Sequence, residues 1–206
     1  MLLLRVSLAL LLSVLFAGTA AVSFTTAAPV KFALSADGEF PSVVDASVRG
    51  RSESLKYTGS AVRKRLGIPF FRIAAYCDSD VRPADVDAMA AADVPKRLIL
   101  VMQRDIPDSL FRKGFGDAFA FNDPKDEFVA DREKLLNHLT ARPLVKGDYI
   151  TLTHVPSVGL DCQVGEGETL TIPGCGFAHV VWNVYMGPKA CSPDVREGLG
   201  TELARD

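Results

Sequence analysis

The chain is predicted to fold as an α+β protein, an open-faced β-sandwich in which a mainly antiparallel sheet is covered on one face by a layer of helices. Three observations predict it. Short β-prone runs crowd the first half, two stretches with apolar stripes at helical spacing occupy the middle, and a hairpin followed by helices closes the sequence. With 206 residues, 48% of them hydrophobic, there is material for one core and too little for two. One domain is therefore expected over residues 29–206.

Residues 1–28 precede it. They hold one cation, Arg5, an apolar run over 6–16, and small residues at 17–21 and 27–28, the layout of a secretory signal peptide. A secreted or periplasmic protein is expected. The alternative is an uncleaved N-terminal membrane anchor, because nothing charged falls between residues 6 and 30.

Runs 30–34 and 40–44 read as short strands around a turn at Ala36-Asp37-Gly38. Runs 55–65 and 68–76 read as the next two, interrupted at Thr58-Gly59-Ser60, parted by Gly67, and ended by 78–80. Residues 83–93 open with proline and aspartate and are rich in alanine, which predicts a short helix that Pro95 stops. The continuous apolar run 97–103 predicts a central strand covered on both faces.

Two longer helices are expected over 107–121, with Phe111, Phe115, Ala118 and Phe119 on one side, and over 124–139, with Asp123 as N-cap. After Gly147-Asp148, the alternation of 149–155 predicts a half-buried strand, and 160–172 a hairpin about Gly165-Glu166-Gly167. A helix over 177–186 stops at Gly187-Pro188, and Ser192-Pro193-Asp194 caps a last short one with Val195 and Leu199 inward.

The net charge of −2, with both signs interspersed, leaves no footprint for a nucleic acid or an anionic membrane surface. His138, His154 and His179 stand in different elements, without HExxH or a cysteine pair at metal spacing, so no metal site is expected. No serine has a nucleophile-elbow setting, and no CxxC is present. Secretion permits disulfides among Cys77, Cys162, Cys175 and Cys191. Cys162 and Cys175 flank the hairpin and are the candidate pair, whose loop would stabilise the fold by roughly 3 kcal/mol in the chain-entropy model.

Arg63 and Arg65 lie two apart in a strand and so share a face, with Arg72 on the following strand. A guanidinium held in a cleft suits a carboxylate, because its fork binds both oxygens. The structural alternative for each is an ion pair. Phe111 and Phe115 fit either an apolar tunnel or ordinary core packing, and Tyr76 fits either a ligand head group or a backbone partner.

Several pieces in order resemble the chalcone isomerase-like family: Phe40-Pro41, Leu55 with Gly59 and Val62-Arg63, Ala74-Ala75-Tyr76, and Arg104-Asp105. Lys146-Gly147-Asp148, Ile172-Pro173-Gly174 before Phe177-Ala178, and the block WNVYMGPKACSPDVREGL over 182–199 continue the likeness. The resemblance implies a ligand cleft between sheet and helices, needing no metal or organic cofactor. It places the substrate-meeting arginine at Arg63. It also puts Phe71 where the isomerases carry a threonine, and Phe111 and Ala118 near their tyrosine and asparagine. With that hydroxyl set lost, the resemblance implies binding of a small amphipathic or apolar anion such as a fatty acid, with Arg63, Tyr76, Phe71, Phe111 and Phe115 as candidate ligand-binding residues. The alternatives are an intramolecular lyase of the chalcone isomerase type and an interaction module whose cleft is filled by its own side chains.

Overall fold

Seven strands run in sequence order as one antiparallel meander: β1 (Val43–Val48), β2 (Arg51–Arg65), β3 (Ile68–Asp78), β4 (Lys96–Met102), β5 (Tyr149–Val155), β6 (Gly159–Val164) and β7 (Thr169–Pro173). The short helix α1 (Val86–Ala91) connects β3 to β4, and α2 (Asp108–Asn122) and α3 (Val129–Leu139) connect β4 to β5. After β7 come α4 (Cys175–Met186) and α5 (Pro193–Leu199). This is the α+β class expected. The computed structural model describes residues 32–35, 38–81 and 83–203. The signal peptide expected over 1–28, the start of the run 30–34 and Ala36-Asp37 of the first turn lie outside them. Among the described residues, no helix is long and apolar enough to cross a membrane.

The strands alternate, and each face has its own apolar cluster. Phe71, Ile73, Ala75 and Cys77 of β3 face the helices and pack with Phe111, Phe115 and Phe119 of α2 and the buried side of α4. Ala74 and Tyr76, the intervening residues, join Leu55, Ile99 and Val101 on the other face, where Phe32, Leu34 and Phe40 cover them. The second face is thus less open than expected. Arg97 of β4 donates to the Asp45 carbonyl of β1 at 2.9 Å, a contact that passes over β2 and β3 and requires the sheet to curl.

A bulge decides which face of β2 meets the helices. Tyr57 pairs with Tyr76, but Gly59 pairs with Ala75, so Thr58 is an extra residue. Strict alternation would put Leu55, Tyr57, Gly59, Ala61 and Arg63 on one face. The extra residue breaks that parity. Leu55 and Tyr57 stay with the outer cluster, while Ala61 packs against the helix-side core and Arg63 stands opposite Phe71. A second irregularity, between Arg63 and Lys64, leaves Phe70 unpaired with β2 and able to join Phe71 on the helix side.

Several local expectations shift. Residues 32–35 are not a strand, and the run expected at 40–44 begins only at Val43. The helix expected from 124 begins at Val129. Asp123 still organises that start, since its carboxylate accepts from the backbone N–H of Glu127 and Phe128 at 3.1 and 2.9 Å, closing a turn that delays the helix. Ser192 occupies the N-cap position of α5, but its side chain makes no capping bond there.

The central strand β4 is buried at every position, and its two leading cations are buried with it. Lys96 donates to the carbonyls of Met89, Ala90 and Ala92 at 2.7–2.8 Å, satisfying the C-terminal end of α1, which has no partners of its own there. Its ammonium also sits 4.8 Å from the centre of the Trp182 ring. Burial pulls the Lys96 pKa down to about 8.

Burial also acts on thiols and phenols. It raises Cys77 to about 11 and raises Cys162, Cys191, Tyr76 and Tyr185 as well. As pH climbs past the ordinary thiol value of 9.0, the unfolded chain releases these protons while the folded chain keeps them, so stability falls. Lys96 acts oppositely, since between about 8 and 10.5 the unfolded chain holds a proton the folded one has lost. Arg97, which burial pulls down to about 10, joins Lys96 at the top of this range, so five groups oppose two. Thermal unfolding followed from pH 7.5 to pH 10.5 should show the melting temperature declining from about pH 9, and a flat or rising profile would contradict this.

Candidate functional site

Between the β2–β3 end of the sheet and helices α2 and α4 lies a cavity of about 110 Å³. Its walls are apolar: Phe70 and Phe71 from β3, Phe111, Phe115 and Ala118 from α2, and Val184 from α4. The stripe on α2 arises because positions four apart share a helix face. Phe111 and Phe115 stack with centroids 4.1 Å apart, and Phe115 meets Phe71 and Tyr185 at 6.4 Å each.

The polar part of the lining is small and of one sign. Arg63, half-buried, and Arg65, exposed, are its charged residues, and no carboxylate lines the cavity. Arg63 donates to the Lys64 carbonyl at 2.8 Å, and among the described residues neither arginine forms an ion pair. Tyr185 and Cys191 supply the remaining polar atoms. The Tyr185 hydroxyl is buried without a hydrogen-bond partner among the described residues, an arrangement that normally calls for an explanation. Burial, with Cys191 and Cys162 acting the same way, holds this phenol well above its ordinary value, while Arg63 opposes them. It stays a donor through the neutral range.

Arg63, Phe71, Phe111 and Phe115 therefore line one cavity, as does Ala118. Tyr76 does not. It lies on the opposite face, fully buried, where its hydroxyl donates to the Pro41 carbonyl at 3.0 Å and its ring meets Tyr57 edge-on. Phe71 and Tyr76 are five apart on one strand, so alternation sends them to opposite sides. Arg72 is also on that far side, against Phe40 and Glu39, and takes no part in a cationic cluster with Arg63.

The expected Cys162–Cys175 bridge is absent, and all four cysteines are free thiols. Cys162 is buried in the helix-side core. Pro173, two residues before Cys175, stands opposite Gly159, three residues along the strand from Cys162, a separation of roughly 10 Å. That exceeds the reach of a disulfide. Cys175 opens α4 instead, with its sulfur 3.9 Å from Asp93 Oδ1.

Tyr185 and Cys191 carry no mark in the sequence beyond their place in the block 182–199. Tyr185 reads there as one more apolar position on a helix buried nearly all round. Only the missing hydroxyl partner distinguishes it.

A curled antiparallel sheet carries helices on one side, with an apolar cavity between the layers lined by two guanidiniums that form no ion pair among the described residues. A model of the chalcone isomerase-like family matches residues 41–200, and the chain belongs to that family. Among solved structures, the crystal structure of a fatty-acid binding protein from Arabidopsis thaliana superposes with a TM-score of 0.63 at 16% identity, covering 84% of this chain and 99% of that one. No curated protein matches the sequence.

Proposed function

We propose that this protein binds a small amphipathic anion, of the fatty-acid type, in the cavity beneath Arg63, and does not cyclise flavonoids. One observation carries the reading: an apolar cavity whose lining contains two guanidiniums and no carboxylate. Cations of one sign at the mouth of an apolar cavity suit a ligand with an anionic head and an apolar tail. The Arg63 fork can take both oxygens of a carboxylate, and Tyr185 has an unused donor at the same cavity. The fold shared with a fatty-acid binding protein supports it further. A self-filled interaction module would need an internal carboxylate against Arg63, and among the described residues there is none.

The cavity is small beside the several hundred Å³ of drug-sized ligand sites. A short acyl chain suits it, and a long one requires the Phe111–Phe115 stack to open. Native mass spectrometry of protein from its own host should show a bound carboxylic acid. In calorimetry with octanoate and dodecanoate, Arg63→Ala should weaken binding roughly 10- to 100-fold, the loss of a charge-assisted hydrogen bond. An empty protein with no affinity for either acid would overturn the reading. Loss of chalcone absorbance faster than in buffer, and dependent on Arg63, would replace it with the isomerase alternative. The signal-like residues 1–28 put this binding in a secreted or periplasmic setting, which N-terminal sequencing of the host-purified protein tests.

A further inference from the structure

A second group of chemically active side chains lies at the other end of α4, away from the cavity. His154 of β5 is fully buried, and its Nε2 is 2.7 Å from Asp93 Oδ1, in the loop after α1. Cys175, the first residue of α4, places its sulfur 3.9 Å from the same oxygen. The three donor atoms lie within 4.8 Å of one another. One turn further along α4, His179 follows Cys175 at a spacing of four, which puts both on one helix face. Its ring centre is 5.8 Å from that of His154.

From this geometry we infer a zinc-type metal site formed by Asp93, His154 and Cys175, with His179 as the fourth ligand. A thiol, two imidazoles and a carboxylate form a donor set suited to Zn²⁺. Tetrahedral zinc, with bonds of about 2.0–2.3 Å, holds its ligand atoms roughly 3.5 Å apart. The contacts of 2.7 and 3.9 Å bracket that value for the first three ligands, and His179, whose ring centre is 5.8 Å from that of His154, must swing inward to complete the sphere. Asp93 is the ligand free to move, its side chain being 49% exposed. The same exposure gives the metal an entry path, while His154 anchors the floor from the sheet. The residues come from three separate elements, which is why no sequence motif announces them.

The site ties the first turn of α4 to β5 and to the α1–β4 loop. Tyr185 is ten residues further along that helix, roughly 15 Å away. The metal site is therefore distinct from the ligand cavity, and its role is to fix the helix that carries Tyr185.

The test is equilibrium dialysis of the reduced protein against ZnCl₂ with metal analysis, together with Co²⁺ titration as a spectroscopic probe. One zinc per chain is expected, with a tetrahedral Co²⁺ spectrum showing thiolate-to-metal charge transfer and a raised melting temperature in zinc. Cys175→Ser, at a half-exposed position, should weaken zinc at least 100-fold with an unchanged circular dichroism spectrum, and His179→Ala at least 10-fold. No stoichiometric uptake would overturn the site. So would uptake unchanged in both variants, or a Co²⁺ complex lacking the thiolate band. None of these outcomes depends on whether the cavity binds a fatty acid.

Discussion

Gly59→Ala is expected to destabilise the protein by roughly 3–5 kcal/mol, a loss large enough to unfold much of a marginally stable domain. Gly59 has φ +149°, and a Cβ there would stand 2.2 Å from the Gly198 carbonyl oxygen and 2.7–2.9 Å from the carbonyl group of Leu199. All of these atoms are backbone, so no side chain can rotate aside. The reverse contact is as close, because a Cβ on Gly198 would meet the Ser60 oxygen at 2.7 Å. The bulge residue Thr58 seals the junction by donating to the Leu199 carbonyl at 3.0 Å and accepting from the Glu202 N–H at 3.0 Å. Any accommodation must therefore lift the end of α5 off β2 or straighten the bulge. Straightening would return Arg63 to the outer face, so acid binding should fall along with stability. Gly67→Ala is the control: φ is +77° and nothing lies within 4 Å, which leaves about 1–2 kcal/mol of backbone strain. Urea unfolding of the two variants checks the claim, and equal losses would show that the close approach to α5 contributes nothing.

The same junction shows where sequence reading reached its limit. The order of strands and helices follows from turn residues and apolar periodicity and is as expected from β1 onward, although residues 32–35 form no strand and α3 starts late. Phe111 and Phe115 share a helix face by spacing alone, so their meeting at the cavity is local information. Arg63 and Phe71 meet because of a bulge, and no parity rule predicts an extra residue at Thr58. Tyr76 is the converse case. Both faces of this curled sheet bury aromatic side chains, so an apolar strand cannot tell which of its residues sees the helices. Lys96 and Arg97 look like solvent-facing bounds of an apolar strand, yet both are buried, because the end of α1 and the Asp45 carbonyl supply acceptors from distant parts of the chain. Partners of this kind are set by tertiary packing, to which a window of neighbouring residues is blind.

Trp182 gives the other large effect. It is the only tryptophan in the chain and the largest fully buried side chain, set in α4 between the sheet and α1. Truncation to alanine should cost about 3–5 kcal/mol for the lost packing and the cavity left behind. It also removes the ring beneath the Lys96 ammonium, which adds about 2 kcal/mol where the cation is desolvated. Trp182→Phe should be far milder. It keeps an aromatic face under Lys96 and sheds the indole N–H, which is buried without a partner, so the loss of ring volume is its main penalty. The two parts of the alanine penalty can be separated. In a Lys96→Met background no cation is left over the empty space, so the double variant should lose at least about 1 kcal/mol less than the two single losses combined. Urea unfolding of the four proteins of this cycle measures the coupling directly. Strict additivity would show that Trp182 acts on Lys96 through packing alone, and that the three carbonyls of α1 hold the buried ammonium without help from the ring.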